Sequence, residues 1–165
     1  MGKAITSIRR VEYPEKREEG MQITRQADYA VRAVLYLAEH NGAGRAPTSQ
    51  IARDQRIPPS FLAKIVSQLS VAGMVQTSRG ARGGVSLARD PKDISLLEVV
   101  EAIDGPITLN ECVADPGLCT FGDDCPVHSV WSDVQQKLVK ELSSTSFADL
   151  MSARGGKKLT AALAL

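Results

Sequence analysis

The sequence predicts a mainly α-helical protein built on a winged helix-turn-helix, with a two-stranded wing and a long C-terminal helix. Aromatics are only 4% of the residues while aliphatics and alanine abound, a balance that suits helices packed on helices. Two short amphipathic segments flank Ile57-Pro58-Pro59, and two alternating, β-branched segments around a Gly/Arg-rich turn follow directly. A chain of 165 residues buries one good core with appendages, not two enzyme-sized domains.

The elements follow in order. Residues 24–41 carry Ala27, Ala30, Val31, Val34, Leu35 and Ala38 at helical spacing, with Thr24 as N-cap and Asn41-Gly42 as the stop. Thr48 or Ser49 caps a short helix containing Ile51 and Ala52, which ends before Ile57-Pro58-Pro59. Ser60 caps a third helix that turns Leu62, Ile65, Val66 and Leu69 inward and closes at Gly73. Residues 74–78 and 85–87 read as strands, and Arg79-Gly-Ala-Arg82-Gly-Gly84 between them is rich in residues that tolerate positive φ. Ser95 caps a further amphipathic helix through Leu97, Val100 and Ile103 to Asp104-Gly105. After the cysteine loop, Val127, Val130, Trp131, Val134, Leu138 and Leu142 form a stripe on a long helix up to Ser143, and residues 147–151 add a last short turn.

This order divides the chain into a disordered extension (1–20), a winged helix-turn-helix domain (21–92), a linking helix with the cysteine loop (93–129), a dimerisation helix with a short terminal helix (130–153) and a flexible tail (154–165). Formal charge divides along the same line. Residues 45–92 hold eight Lys/Arg against two Asp/Glu, a net of +6, whereas residues 93–153 hold two Lys against eleven Asp/Glu, a net of −9. One face is therefore fit to meet a polyanion and another is not.

The expected DNA contacts are Ser49 and Gln50 on the first short helix, Ser60, Lys64, Ser67 and Gln68 on the recognition helix, and Arg79 and Arg82 in the wing. The helix enters the major groove and a wing arginine the adjacent minor groove. Use of the fold for protein contacts alone is the plainer account, and the basic residues speak against it. The stripe through Val130, Trp131, Val134, Leu138 and Leu142 is read as a dimer seam rather than ordinary core, because the earlier helices already supply a core.

All three cysteines, Cys112, Cys119 and Cys125, fall in one Gly/Asp/Pro-punctuated loop, and His128 follows one helical step later. Three thiols cannot pair off within one molecule, and thiolates with an imidazole are the donors that hold iron-sulfur clusters or zinc. The gaps of six and five residues are wider than those of zinc knuckles and favour a bulkier cofactor than a single ion. Idle thiols, an intermolecular disulfide switch, and a His128 that only caps its helix are the alternatives.

The stretch Met21-Gln-Ile-Thr-Arg-Gln-Ala-Asp-Tyr-Ala30, the run Ser60-Phe-Leu-Ala-Lys-Ile, the wing Arg79-Gly-Ala-Arg-Gly-Gly84 and the three-cysteine loop, in this order and spacing, resemble the Rrf2 family of winged-helix repressors. The resemblance runs from Met21 to about Ser152. It implies a homodimer that binds palindromic promoter DNA and senses iron-sulfur, redox or nitric-oxide status through a cluster. The run Cys125-Pro-Val-His128-Ser-Val-Trp131 is most similar to the iron-sulfur assembly branch, in which three cysteines and this histidine hold a 2Fe-2S cluster. Asp28 stands where the nitric-oxide-sensing branch supplies a carboxylate from the partner subunit to a 4Fe-4S cluster, so both fourth ligands are present and 2Fe-2S is the preferred expectation. Arg79 matches the wing arginine of the family. Ala63 departs from the assembly branch, which has a base-discriminating glutamate there, and target preference does not carry over. The implied mechanism ties the cysteine loop against the dimer helix and the partner's first helix, and loss or oxidation of the cluster frees it.

No phosphate loop, nucleophile elbow or paired acid/base set stands out, and His40 and His128 are the two imidazoles, so an enzyme is not expected. A metal-free thiol regulator and a small electron carrier are the rivals. No apolar run is long enough to span a bilayer and the first twenty residues lack a signal-peptide core, so a cytoplasmic location is expected.

Overall fold

The computed structural model describes residues 23–80, 83–115, 117 and 125–154. The expected extension at 1–20, the wing residue Arg82, the middle cysteine Cys119 and the tail beyond 154 lie outside the described residues.

Helix α1 (Arg25–Glu39) opens where the Thr24 hydroxyl accepts the Ala27 N–H at 3.2 Å. Its apolar spacing buries Ala27, Ala30, Ala33, Val34, Leu37 and Ala38 in the middle of the molecule. Helices α2 (Thr48–Asp54) and α3 (Pro59–Val71) form the helix-turn-helix. Their starts correct the expected serine and threonine caps. Pro47 and Pro58 occupy the two N-cap positions without a side-chain bond, Thr48 is already helical, and Ser60 sits inside the first turn behind Pro59. Proline's fixed φ pre-sets the first helical turn, where its missing N–H costs nothing.

Strands β1 (Val75–Ser78) and β2 (Gly84–Leu87) pair antiparallel, Val75 opposite Leu87 and Ser78 opposite Gly84. The wing root carries a third contact that the sequence did not announce, because Ala46 and Val85 exchange both backbone hydrogen bonds at 2.9 Å. A Cβ at Gly84 would lie 2.5 Å from the Ala46 carbonyl oxygen, so the close approach requires glycine there.

After a 3₁₀ turn at Pro91–Asp93, α4 (Leu96–Asp104) begins with a full capping box. Glu98 N–H donates to the Ser95 hydroxyl and Ser95 N–H to the Glu98 carboxylate. Gly105, at φ 83°, ends it. A short helix α5 (Glu111–Ala114), the long α6 (His128–Ser144) and α7 (Phe147–Arg154) complete the chain.

The core does not stop at residue 92. Ile94, Val99 and Phe147 are fully buried with Val34, Ile51, Leu62, Ile65, Leu69 and Val85, so α4 and α7 close the same core as the helix-turn-helix. Backbone bonds from Leu96 to Thr145 (2.9 Å) and from Phe147 to Ile94 (3.0 Å) bring the end of α6 back to the start of α4. By contrast α6 buries none of its residues fully. Leu138 and Leu142 are half-buried, while Val127, Val130, Trp131 and Val134 are 49, 57, 40 and 44% exposed. No helix among the described residues is long and apolar enough to cross a membrane.

Candidate nucleic-acid interface and cysteine segment

On α3 the inward set Leu62, Ile65, Val66 and Leu69 leaves Ser60, Lys64 and Ser67, spaced by four and three, together on the exposed side. Ser49 on α2 and Arg79 just past β1 are exposed as well. Gln50 and Gln68, the other two polar residues expected at the interface, turn toward α1. The Gln26 side-chain amide donates to Gln68 Oε1 at 2.6 Å, and the Gln50 amide donates to the Tyr36 hydroxyl at 2.9 Å.

Tyr36 in turn donates to Asp54 Oδ2 at 3.0 Å and stacks on His40 with ring centroids 4.2 Å apart. Burial, reinforced by the Asp54 carboxylate, raises its phenol pKa above the ordinary value, so it stays a neutral donor joining α1 to α2. Arg32 braces the turn between α2 and α3. Its guanidinium donates to the Gln55 carbonyl at 3.1 Å, pairs with Asp28 at 2.6 Å and lies 4.7 Å over the Tyr29 ring. Phe61 packs edge-on against Tyr29 yet stays 44% exposed beside the basic face, an aromatic that sequence periodicity alone assigned no role.

The cysteine segment follows α4 in the chain, and its helix α5 packs on α6. The Asn110 carbonyl accepts the Val113 and Ala114 N–H groups (3.0 and 3.3 Å), which winds Cys112 into α5 rather than leaving it in an open loop. The backbone N–H of Leu109 donates to Gln135 Oε1 at 3.0 Å, pinning the entry of α5 to the middle of α6. The Cys125 carbonyl accepts the His128 N–H at 3.1 Å, so Cys125 and His128 share the turn that starts α6. Cys112 and Cys125 are free, half-buried thiols, and His128 is half-buried.

In type these donors suit a soft metal or an iron-sulfur cluster. Among the described residues no three His, Cys, Asp or Glu side chains converge into a metal-sized cage, and Cys119, the expected third thiolate, lies outside them. Asp28, the other candidate ligand, is exposed on α1 and paired with Arg32.

A helix-turn-helix with a basic outer side, a two-stranded wing behind it and a long half-exposed helix beyond define a winged-helix transcriptional regulator, not an enzyme. The chain belongs to the Rrf2 family, whose pattern, described as iron-dependent transcriptional regulator, matches residues 23–153. It is 34% identical over 131 residues to the HTH-type transcriptional regulator IscR of Xenorhabdus nematophila, covering 79% of each chain. IscR of Escherichia coli strain K12 is 33% identical over 131 residues, covering 79% of this chain and 80% of its own. Among solved structures, CymR, the global cysteine regulator of B. subtilis, superposes with a TM-score of 0.70 at 27% identity, covering 79% of this chain and 96% of its own. T. potens IscR gives 0.64 at 27% identity, covering 88% and 95%.

Proposed function

We propose that this chain is an iron-sulfur-cluster-dependent transcriptional repressor, a homodimer that binds palindromic promoter DNA and responds to redox, iron-sulfur or nitric-oxide status. The observation that carries the reading is the placement of Cys112 on α5 and of Cys125 and His128 at the start of α6, two elements already joined by the bond from Leu109 to Gln135. Cys112, Cys119 and Cys125 are the thiolate ligands and His128 the fourth donor, with Asp28 of the partner subunit as the alternative. A 2Fe-2S cluster is preferred to 4Fe-4S. A bound cluster supplies a bridge that oxidation, nitrosylation or iron loss can break.

The chain's own residues do the rest. The exposed Val127, Val130, Trp131 and Val134 seat a second α6, which sets two copies of α3 about one helical turn of DNA apart. Ser49, Ser60, Lys64 and Ser67 face the major groove, and Arg79 or Arg82 enters the minor groove. Gln50 and Gln68 hold α2 and α3 at a fixed tilt on α1 and meet DNA only by exchanging those partners. Movement at the start of α6 reaches α3 through α4, against which both pack.

The test is the visible spectrum with iron and sulfide content of anaerobically purified protein, for wild type and for Cys119→Ala, His128→Ala and Asp28→Ala. Expected are a coloured wild type, a colourless Cys119→Ala, and loss or change of the spectrum in His128→Ala but not in Asp28→Ala. Promoter affinity should fall by about 10³ to 10⁵ between about 50 and 200 mM salt for a dimer neutralising about six to ten phosphates. A metal-free thiol regulator is the second reading, favoured by the free thiols of Cys112 and Cys125. Colourless, iron-free protein that binds its promoter normally and loses binding on thiol oxidation would establish it instead.

A further inference from the structure

Helices α2 and α3 end in the same hydrogen-bonding motif. Past α3, the N–H groups of Gly73 and Met74 donate to the carbonyls of Ser70 and Leu69 at 3.1 and 3.0 Å. Past α2, the N–H groups of Arg56 and Ile57 donate to the carbonyls of Arg53 and Ala52 at 3.2 and 2.8 Å. Met74 and Ile57 then bury their side chains, at 4 and 2% exposure. This motif needs a residue of positive φ just beyond the cap, and glycine takes that conformation without steric cost. Gly73 does so at φ 69°. At the equivalent point of α2 stands Arg56, at φ 53°, the one non-glycine residue with positive φ among the described residues.

The turn that carries Arg56 is also held from α1. The carbonyl of the neighbouring Gln55 is gripped by Arg32, itself held by Asp28 and by the Tyr29 ring. A turn of this kind often carries glycine, so a residue with a Cβ and a long charged side chain here runs against the backbone's own preference. Arg56 nonetheless makes no ion pair or side-chain hydrogen bond with the described residues, and it is exposed. Nearby Arg53, by contrast, pairs with Asp54 at 3.3 Å. The positive φ therefore serves the backbone motif, whereas the arginine side chain that makes it costly serves no contact among the described residues. The turn lies directly before the recognition helix, inside the stretch of net charge +6.

We propose that Arg56 is a phosphate-binding residue, a guanidinium held out on a rigid turn to grip the DNA backbone at the edge of the groove that α3 enters. The proposal rests on the DNA-binding reading above and adds a contact that fixes the register of α3 while carrying no base information. A planar, permanently charged fork suits an exposed phosphate contact.

The experiment measures anisotropy of a labelled mixed-sequence duplex against salt for full-length wild type, Arg56→Gly and Arg56→Lys, with a thermal melt of each. Arg56→Gly should melt at the wild-type temperature or up to roughly 4 °C higher, since the strained Cβ is gone. It should nonetheless bind roughly tenfold more weakly per protomer near about 0.1 M salt, with a log–log salt slope shallower by about 0.9 per protomer. Arg56→Lys should keep the wild-type slope. Three results overturn the proposal: wild-type affinity and slope in Arg56→Gly, weaker binding accompanied by a lower melting temperature, or a slope lost equally in Arg56→Lys. Wild-type protein that binds no duplex at any salt overturns the DNA-binding reading itself, and this inference with it.

Discussion

Thr24 donates both its backbone N–H, at 3.0 Å, and its hydroxyl, at 2.6 Å, to the carboxylate of Asp104, 80 positions away. The same hydroxyl oxygen accepts the Ala27 N–H, so one side chain caps α1 and ties it to the last residue of α4. Asp104 precedes Gly105 and the segment that leads to Cys112, which makes this pair a joint between the central helix and the cysteine segment. Asp104→Ala should cost about 1 kcal/mol, less than the usual value for hydrogen bonds to a charge because solvent screens this exposed pair. The urea midpoint reads it, and an unchanged midpoint would mean that water replaces the carboxylate without loss.

Phe147 should prove the most sensitive position of the C-terminal segment. It is fully buried, and its N–H bonds to Ile94 at 3.0 Å. Phe147→Ala should cost about 3 to 5 kcal/mol through lost burial and the cavity left behind, and Phe147→Leu under about 1.5 kcal/mol. Denaturant unfolding of both variants checks this. A cost below about 1 kcal/mol for the alanine variant would detach α7 from the core.

Glu98 gives the fold an acid-sensitive cap. Burial works to raise its pKa, but the Ser95 N–H and the Arg89 guanidinium, at 2.9 and 3.0 Å, outweigh it and hold the carboxyl below the ordinary 4.5. A carboxylate with a lowered folded pKa stabilises fully above its unfolded value, and that contribution fades as pH falls through the folded one. Glu98→Gln, which keeps a capping acceptor but loses the charge, should therefore destabilise by about 0.5 kcal/mol at neutral pH. The difference from wild type should shrink as pH falls below the ordinary carboxyl value of 4.5 and through the lowered folded one. Melting temperatures against pH test it, and a gap that persists in acid would assign the effect to shape rather than charge.

Val134 tests the seam on α6. The residue is 44% exposed on a helix with no fully buried position, so Val134→Glu should leave helix content and melting of the monomer fold intact. It should move the sedimentation profile from dimer to monomer, because an unpaired carboxylate buried at an interface costs several kcal/mol. A dimer that survives the charge would place the seam elsewhere.

Most signals that act within one turn of chain were legible from the residues alone, the caps of α2 and α3 excepted, where Pro47 and Pro58 stand in place of the expected serine or threonine. The apolar spacing of α1, the Thr24 cap, the Ser95 cap, the glycine stops at Gly73 and Gly105 and the paired strands of the wing all stand where the pattern put them. Cysteine and histidine types likewise mark the cysteine segment, since ligand chemistry belongs to the side chain and not to the fold. Contacts between distant segments were not legible. That Gln50 and Gln68 face α1, that Ala46 joins the wing, that Phe147 closes the core and that Gln135 holds Leu109 each depend on which surfaces meet once the chain has folded back on itself. Arg56 is the sharpest instance, because only the packing of α2 against α1 and α3 forces an arginine into a conformation that its own local preference resists. Periodicity and caps are properties of neighbouring residues. The choice of partners is a property of the whole core, where burial outweighs local preference.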